Sequence, residues 1–134
     1  MFTFPVRIYY EDTDAAGVVY YANYLRYCER ARTEWLRATG FEQQQMKSEL
    51  GLVFVVRAVT ADYLAPAVLD DMLQVITQLE TLGRASMTFL QTITRDDVCL
   101  FKARIVIACV DWDRKKATAL PLTLRHQLQL HLSA

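Results

Sequence analysis

The sequence predicts an α+β fold in which an antiparallel sheet of about five to six strands wraps around one long helix. Its segment order supports this prediction. One short β-rich segment comes first, a long amphipathic segment follows, and four further β-rich segments are joined largely by tight turns. Because strands joined by tight turns pair antiparallel, these four segments predict a meander whose apolar face packs on the helix.

The long helix is predicted over about residues 23–39. Its apolar side chains recur at three- and four-residue steps, whereas most charged side chains fall between them. The apolar stripe consists of Tyr24, Tyr27, Cys28, Ala31, Trp35 and Ala38. Asn23 is the predicted N-cap, and Gly40 is the left-handed residue that commonly follows a helix. We therefore expect one face of this helix to be buried.

Alternation and turn residues predict the strands. The predicted strands are 4–10, 52–63, 72–82, 85–94 and 100–110, with turns at Gly83-Arg84 and Asp96-Asp97. In the last strand the residues of one parity are apolar, whereas the other parity includes Lys102 and Arg104. Strand 52–63 is apolar on both faces, which predicts cover on both sides, and it is also the predicted edge strand. Short helices are predicted over 42–49 and within 121–132.

Composition restricts the class of protein. The chain has 134 residues, of which 53% are hydrophobic, so we expect a single domain over 1–134. Lys and Arg total 15, as do Asp and Glu, which disfavours nucleic acid and anionic membranes as partners. No basic leader or membrane span is recognisable, so a cytoplasmic protein is expected. Cys28, Cys99 and Cys109 lack metal-ligand spacing and are expected to be reduced core thiols.

The most informative stretch runs from Tyr10 to Tyr24 and leads into the long helix. Its first half places three carboxylates and a Thr in a turn that Gly17 closes. The Asp14 carboxylate is expected close to the free N–H groups and the positive dipole end of the helix. Such a terminus can also polarise a carbonyl oxygen. Asp14 is therefore the candidate catalytic carboxylate, and a simple turn-forming role is its alternative.

The same stretch carries a resemblance to a known family. The run Tyr-Glu-Asp-Thr-Asp-Ala-x-Gly-Val-Val-Tyr, continued to Glu34, resembles the YbgC-like acyl-CoA thioesterases, relatives of the 4-hydroxybenzoyl-CoA thioesterases. The block Tyr63-Leu64-Ala65-Pro66-Ala67 is similar to the same family. This resemblance implies a hotdog fold and a homodimer joined edge to edge, often paired again into a homotetramer. It also implies that acyl-CoA binds at the subunit interface.

The resemblance assigns roles to individual residues. Asp14 falls on the family's essential carboxylate, a nucleophile or general base, and Tyr21 supplies the backbone N–H that polarises the thioester carbonyl. Gly17, Arg84 and Ser86 fall at substrate-binding positions, the last two on a hairpin that touches the CoA phosphates. Neither a metal nor a cofactor is implied, since CoA is part of the substrate.

Two positions bear on the activity that the resemblance implies. The YbgC-like motif commonly has a His where this chain has Tyr21, as the hydroxybenzoyl-CoA branch does. Related hydratases need a His where this chain has Val19, so hydration is not expected.

Other polar residues near these motifs have simpler explanations. Glu11 and Asp12 either tune the site or face solvent. The remaining residues have structural roles as their expected function: Tyr20 and Tyr24 in packing, Asp70 and Asp71 in a turn, and His126 and His131 at the surface.

The sequence thus predicts an acyl-CoA thioesterase that hydrolyses short-chain or aromatic acyl-CoA to free acid and CoA. The alternative is a non-catalytic module that binds acyl-CoA or acyl-carrier protein and is linked to the Tol–Pal system of the cell envelope. A third hypothesis is a structural partner protein that only assembles. Acyl chain length and the choice between dimer and tetramer stay open at this point.

Overall fold

The structure, a computed structural model, describes residues 2–132. The strands are β1 (Phe2–Arg7), β2 (Leu52–Tyr63), β3 (Met72–Leu82), β4 (Ser86–Arg95), β5 (Val98–Asp111) and β6 (Lys116–Ala117). The helices are α1 (Asn23–Ala38), α2 (Gln43–Leu50) and α3 (Leu122–Gln129), and a 3-10 turn covers Tyr10–Asp12. The predicted first strand therefore ends earlier than expected, because the acidic stretch already turns at Tyr10.

All strands belong to one antiparallel sheet with the order β1-β3-β4-β5-β2, and β6 pairs with the end of β5. The β3–β4 and β4–β5 hairpins form the predicted meander. Asp96 and Asp97 close the second hairpin with positive φ angles of 49° and 66°, a conformation that Asp tolerates better than most residues. The predicted sheet wrapped on a long helix is confirmed.

Helix α1 packs on one face of this sheet. The Trp35 ring meets the Phe89 ring of β4 edge to face at 5.2 Å, and the Tyr24 ring stacks on Phe101 of β5 at 5.3 Å. Most of the predicted stripe is buried, but Ala38 is exposed. Leu36, which the predicted stripe left out, is buried instead.

A charged residue on α1 lies inside this core, which the sequence did not predict. Arg32 is only 8% exposed, and its Nη1 donates to Oε1 of Gln91 at 3.0 Å. The Gln91 Nε2 donates in turn to the Thr77 hydroxyl and to the Cys28 carbonyl. Because a buried polar group without partners is costly, this network explains how α1 accommodates polar atoms at the sheet.

Strand β2 is the edge strand that the sequence predicts, since it pairs only with β5. The prediction that both of its faces are covered is wrong for the single chain. Val55, Val56 and Val59 are 39%, 52% and 42% exposed. An apolar edge strand of this length is normally paired or covered in a natural protein.

Both predicted short helices are present. At the end of α1, the Gly40 N–H donates to the Arg37 carbonyl and the Phe41 N–H to the Leu36 carbonyl, both at 3.0 Å. Gly40 has φ +101°, so this is the Schellman arrangement for which glycine is suited. Within residues 2–132, no helix combines the length and apolar character needed to cross a membrane. The assignment of 1–134 to one domain stays a prediction.

Adjacent residues of β4 test which face of the sheet forms the core. Phe89 is fully buried against α1, whereas Leu90 lies half-buried on the opposite face. We expect Phe89→Ala to lower the free energy of unfolding by about 3–5 kcal/mol through cavity formation, and Leu90→Ala by about 1 kcal/mol. Urea unfolding at one fixed protein concentration measures both. Equal losses would contradict the assigned packing.

Candidate active site

The acidic stretch, residues 11–19, forms a small hairpin-like loop, called the Asp14 loop below, and hydrogen bonds attach it to the segment before β3. The Asp14 N–H donates to the Val18 carbonyl at 2.9 Å, and the Gly17 N–H donates to the Asp14 carbonyl at 3.0 Å. Val18 also bridges to Val68, and the Val19 N–H donates to the Ala67 carbonyl at 2.9 Å. These bonds place Asp14 at the exposed tip of a loop whose base is fixed.

Only one of the two oxygens of the Asp14 carboxylate accepts a hydrogen bond from the described residues. Its Oδ1 accepts the Ala16 N–H at 2.9 Å, and this turn requires the positive φ of +83° that Gly17 supplies. Its Oδ2 accepts no hydrogen bond from any residue in 2–132. One oxygen is therefore oriented by the backbone, and the other is free to act on a substrate or a water molecule.

Helix α1 begins beside this loop without a side-chain cap. Its N-cap residue is Ala22, so the predicted N-cap role of Asn23 is wrong. Asn23 is the first helical residue, and its Nδ2 donates instead to the Asp12 carbonyl at 3.0 Å. Among the described residues the Tyr21 N–H donates to no protein group. An unpaired N–H at a helix start is suited to bind an oxygen that carries negative charge.

Asp12 links the loop to the helix, whereas Glu11 does not. The first therefore shapes the candidate site, and the second faces solvent. The Asp12 Oδ2 accepts the Tyr9 N–H at 2.8 Å, and the Asp12 carbonyl accepts the N–H of Tyr20 at 2.9 Å as well as the Asn23 side chain. Glu11, by contrast, is exposed and makes no contact that the structure records. The loop therefore depends on Asp12, whereas Glu11 faces solvent.

An aromatic pocket of about 320 Å³ lies next to the helix start. It is lined by Val19, Tyr21, Tyr24, Tyr63, Leu64, Ala65 and Pro66. The Tyr21 ring meets Tyr63 edge to face at 6.2 Å, and the Tyr24 hydroxyl accepts the Ala67 N–H at 3.0 Å. The Tyr24 ring is buried and stacks on Phe101, which is the predicted packing role. Burial also raises the pKa of Tyr24, which disfavours proton transfer. Tyr20, also predicted to pack, is 46% exposed, and its ring centroid lies 4.9 Å from that of Tyr21.

The turn after this pocket is held by an ion pair. The Asp71 Oδ2 accepts the Val68 N–H at 2.9 Å and pairs with Arg95 Nη1 at 2.7 Å. Burial alone would raise the pKa of Asp71, but the Val68 N–H and the Arg95 guanidinium outweigh it and hold the pKa below its usual range. Asp70 has φ +73° and a carbonyl that accepts from Arg7. Both residues have the predicted structural role.

Arg84 and Ser86 lie at the other end of the sheet. The Asp14 loop adjoins the start of β3, since the Ile8 N–H donates to the Asp71 carbonyl. Arg84 follows the end of β3, and an 11-residue strand spans roughly 35 Å. Within one chain, the structure therefore does not bring Arg84 and Ser86 together with Asp14, Gly17 and Tyr21.

The two ends of the sheet carry opposite charge, although the whole chain has equal numbers of acidic and basic residues. The basic end is defined by Arg84, Arg114, Lys115, Lys116 and Arg125. Pairing of β6 with β5, and the bond from the Leu120 N–H to the Arg84 carbonyl, bring these segments to one end. The acidic end carries Glu11, Asp12, Asp14, Asp62, Asp70, Asp71, Asp96 and Asp97, which outnumber Arg7, Arg95 and Lys102 there. Asp111 and Asp113 lie at the basic end and are outnumbered in turn, so the contrast between the ends is one of net charge. The basic end was not predicted because three separate segments of the sequence supply it, although the run 114–116 was a visible signal.

Other reactive side chains do not form a second site. His126 and His131 are exposed, as predicted. Cys28 and Cys109 are buried, and burial raises the pKa of Cys28 to about 12, so it is no thiolate at neutral pH. Cys99 is only half-buried, which corrects its assignment to the core. In the described part of the chain, no three His, Cys, Asp or Glu side chains are arranged to hold a metal ion.

Comparison with known proteins identifies the family of this fold and loop. The family model described as the thioesterase-like superfamily matches residues 9–128. A relative from Haemophilus influenzae, named acyl-CoA thioesterase YbgC, is 48% identical over 90% of this chain and 88% of its own. The chain belongs to the thioesterase-like superfamily and, within it, to the YbgC group. The resemblance and the hotdog fold predicted from the sequence are thereby confirmed.

Two further comparisons agree with the YbgC assignment. The Escherichia coli protein named acyl-CoA thioester hydrolase YbgC is 46% identical, and the match covers 92% of each chain. The crystal structure of a probable thioesterase from Bartonella henselae is 36% identical, with a TM-score of 0.85, and the match covers 89% of this chain and 98% of that one. The thioesterase-like match includes both the Asp14 loop and helix α1.

We expect the ion pair between Asp71 and Arg95 to stabilise the fold in a pH-dependent way. The folded-state pKa of Asp71 is lowered, so its contribution is present above the unfolded carboxyl pKa of about 3.9 and is lost as the pH falls through the folded value. We expect Asp71→Asn to lower the free energy of unfolding by about 1 kcal/mol at neutral pH and to match the wild type in acid.

Urea unfolding between neutral pH and about pH 2 measures this difference. Asp70→Asn is the matched control, because Asn also tolerates positive φ and the Asp70 carboxylate makes no hydrogen bond within residues 2–132. A loss for Asp71→Asn that stays constant down to the lowest pH would contradict the pairing.

Proposed function

We propose that the protein hydrolyses the thioester of short-chain or aromatic acyl-CoA to free acid and CoA in the cytoplasm, with Asp14 as nucleophile or general base. The observation that carries this proposal is the loop itself. A free carboxylate oxygen of Asp14 and an unpaired N–H of Tyr21 belong to one short segment beside an aromatic pocket. Membership of the YbgC group supports an acyl-CoA thioester hydrolase.

The proposed reaction needs only these two groups. The Tyr21 N–H donates to the thioester carbonyl oxygen and stabilises the negative charge that develops there. As a general base, Asp14 takes a proton from water while the water oxygen attacks the carbonyl carbon, and the C–S bond then breaks. The proton passes to the departing CoA sulfur, and the carboxylate is restored.

As a nucleophile, Asp14 Oδ2 attacks the same carbon instead and expels CoA as a thiolate. Water then hydrolyses the resulting mixed anhydride, which releases the acid and restores the carboxylate. Neither route uses a metal or a cofactor. Oδ1 stays tied to the Ala16 N–H in both, so the reacting oxygen keeps its direction.

The aromatic pocket supports a short or aromatic acyl group. Rings of Tyr21, Tyr24 and Tyr63 form much of its wall, and aromatic rings prefer edge-to-face and offset contacts with another ring. Its volume of about 320 Å³ is at the lower limit for small-molecule pockets. A long acyl chain would not fit within this pocket and would have to extend beyond it.

A second copy of the chain completes the proposed site. The CoA nucleotide carries several negative charges, which suit the basic end rather than the acidic end where Asp14 lies. Edge-to-edge pairing of β2 with β2 of another copy would satisfy its free backbone groups and cover its exposed valines. We therefore propose a homodimer, or a homotetramer of two such dimers, in which Arg84 and Ser86 of one copy serve Asp14 of the other.

The non-catalytic alternative is less well supported. A module that only binds acyl-CoA or acyl-carrier protein has no need for a free carboxylate oxygen on the same short segment as an unpaired N–H. Named relatives of the YbgC group are thioesterases. The acyl-carrier-protein partner and the link to the Tol–Pal system stay predictions.

Asp14→Asn tests the catalytic carboxylate. The amide keeps the size of the side chain and can still accept the Ala16 N–H, but it loses the charge and the basicity. We expect kcat to fall by on the order of 10² to 10⁴, with a stability change of at most about 1 kcal/mol. Thiol release measures kcat, and thermal unfolding checks the fold.

Glu11→Gln is the matched control, because it removes a carboxylate from the same loop that makes no recorded contact. We expect its kcat to stay within about threefold of the wild type. Similar losses in both variants, or an Asp14→Asn variant that keeps more than about a tenth of wild-type kcat, would refute the assigned role.

Arg84→Ala tests the second copy. If Arg84 pairs with a CoA phosphate in the ground state and the transition state alike, KM should rise about tenfold while kcat stays nearly constant. Mixed with Asp14→Asn, the variant should also complement it. Equal mixing with random reassociation makes half of the dimers heterodimers. In each heterodimer one of the two sites combines an unchanged Asp14 with an unchanged Arg84. Roughly a quarter of wild-type activity should therefore return.

The mixing experiment is done under subsaturating substrate after dissociation and reassociation of the subunits. Each variant mixed with itself is the control. A light-scattering mass of one chain, or no activity gain in the mixture, would contradict a site shared between two copies.

A further inference from the structure

A groove lies between α1 and the free edge strand β2. It is formed by two cavities of about 260 and 160 Å³, and Glu29, Arg32 and Val56 line both of them. The remaining walls are mostly apolar side chains of α1, β2, β4 and β5. The groove therefore follows the strand edge that is proposed above to pair with a second copy.

Arg32, which lines this groove, is buried without a partner of opposite charge. Its guanidinium makes one recorded hydrogen bond, to the neutral amide oxygen of Gln91, and forms no ion pair with a carboxylate of residues 2–132. Its Nε and Nη2 atoms are not fully enclosed, since the Tyr27 hydroxyl is the only described side-chain polar atom that is both enclosed and unpaired. Because a buried charge without a counter-charge is costly, a carboxylate placed in the groove would stabilise Arg32.

Glu29 is an unpaired acid in the same groove, three residues before Arg32. Its side chain is exposed, and it forms no ion pair within the described part of the chain. The other acid of α1, Glu34, pairs with Arg37 of its own chain. Each copy of the chain thus offers one carboxylate and one guanidinium that lack a counter-charge in the same place.

A dimer paired through β2 would bring the grooves of two copies together at its twofold axis. The β-bulge after Val56 lets Val56 and Val59 line the same groove despite their odd spacing. Opposite residues of an antiparallel pair share one face of the sheet, and pairing over the full length of β2 sets Val56 opposite Val59 of the other copy. The axis then falls between Arg57 and Ala58, next to Glu29 and Arg32.

We propose that Glu29 of each copy binds Arg32 of the other copy across this axis, so that two reciprocal ion pairs link the two α1 helices. A twofold axis makes each contact occur twice. The carboxylate meets the Nε and Nη2 side of the guanidinium, which suits a bidentate pair, while Nη1 stays on Gln91. This inference rests on the dimer of the proposed function and not on the catalytic role of Asp14.

Glu29→Gln tests the pair because it keeps the size of the side chain and removes the charge. We expect the dissociation constant of the dimer to rise at least about tenfold, since Arg32 is then left buried without an acid. Sedimentation over a dilution series measures this constant. Glu34→Gln is the matched control, because its partner lies in the same chain, and its constant should stay within about twofold of the wild type. Equal constants for the two variants would overturn the pair.

Exchange of the charges separates pairing between copies from pairing within one copy. Two cations meet at each contact in a dimer of Glu29→Lys chains, and two carboxylates meet in a dimer of Arg32→Glu chains. A mixed dimer of the two variants has opposite charges at both contacts. We therefore expect each variant alone to be mainly monomeric where the wild type is dimeric, and an equal mixture to dimerise. A mixture no more dimeric than its components would overturn the inference.

Cross-linking covers the case in which Arg32→Glu does not fold. In Arg32→Lys, a carbodiimide can join the introduced amine to the Glu29 carboxylate as an amide. We expect a covalent dimer linked between positions 29 and 32, which is lost when Glu29→Gln is added. A link found only within single chains would overturn the pair.

The oligomeric measurements keep this inference apart from the proposed activity. A wild type that stays monomeric would reject both the proposed dimer and the ion pairs. A dimer with the expected response to Glu29→Gln that releases no thiol from acyl-CoA would reject the proposed activity and leave the ion pairs supported.

Discussion

The hydrogen bonds accepted by Asp12 hold the Asp14 loop and helix α1 together, and the geometry of the candidate site depends on them. The Asp12 carbonyl accepts both the Tyr20 N–H and the Asn23 side chain, while its carboxylate accepts the Tyr9 N–H. These contacts turn the chain directly into the helix. No side chain caps α1, and the Tyr21 N–H just before it is left unpaired on the segment that also carries Asp14.

The core of α1 and the sheet makes this arrangement rigid enough for chemistry. Trp35 and Tyr24 pack against β4 and β5, and the Arg32–Gln91 network ties the middle of the helix to the same strands. A free helix start is useful to a substrate only if the helix does not move, because electrostatic stabilisation depends on preorganised dipoles. Packing of α1 on the sheet thus holds the start of the helix in a fixed position next to the loop.

Separation of charge along the sheet supports the proposal that the single chain holds only part of the site. The carboxylate and the aromatic pocket lie at the acidic end, and the cluster suited to phosphates lies a strand length away. Strand β2 has an unpaired edge and exposed valines, which are features that association with a second copy would remove. Charge distribution and edge exposure therefore favour the same assembly.

Local patterns made the fold and the centre of the site predictable. Helical spacing in α1, alternation in β5 and turn residues at 83–84 and 96–97 each depend on near neighbours, and the Asp14 motif is a continuous stretch. The failures involve distant partners. Asn23 is not the N-cap because its side-chain amide donates to the carbonyl of Asp12, eleven residues earlier. Arg32 is buried because Gln91, 59 residues later, accepts its hydrogen bond. The basic end was missed because it forms only when three segments meet.

The most direct test of the account is thiol release by the purified protein from a panel of acetyl-, butyryl-, hexanoyl-, palmitoyl-, benzoyl- and 4-hydroxybenzoyl-CoA. The account predicts turnover without added metal, with kcat/KM of at least about 10⁴ M⁻¹s⁻¹ for a short or aromatic acyl group and a much lower value for palmitoyl-CoA. Binding of these thioesters without release of CoA above the uncatalysed rate would contradict it.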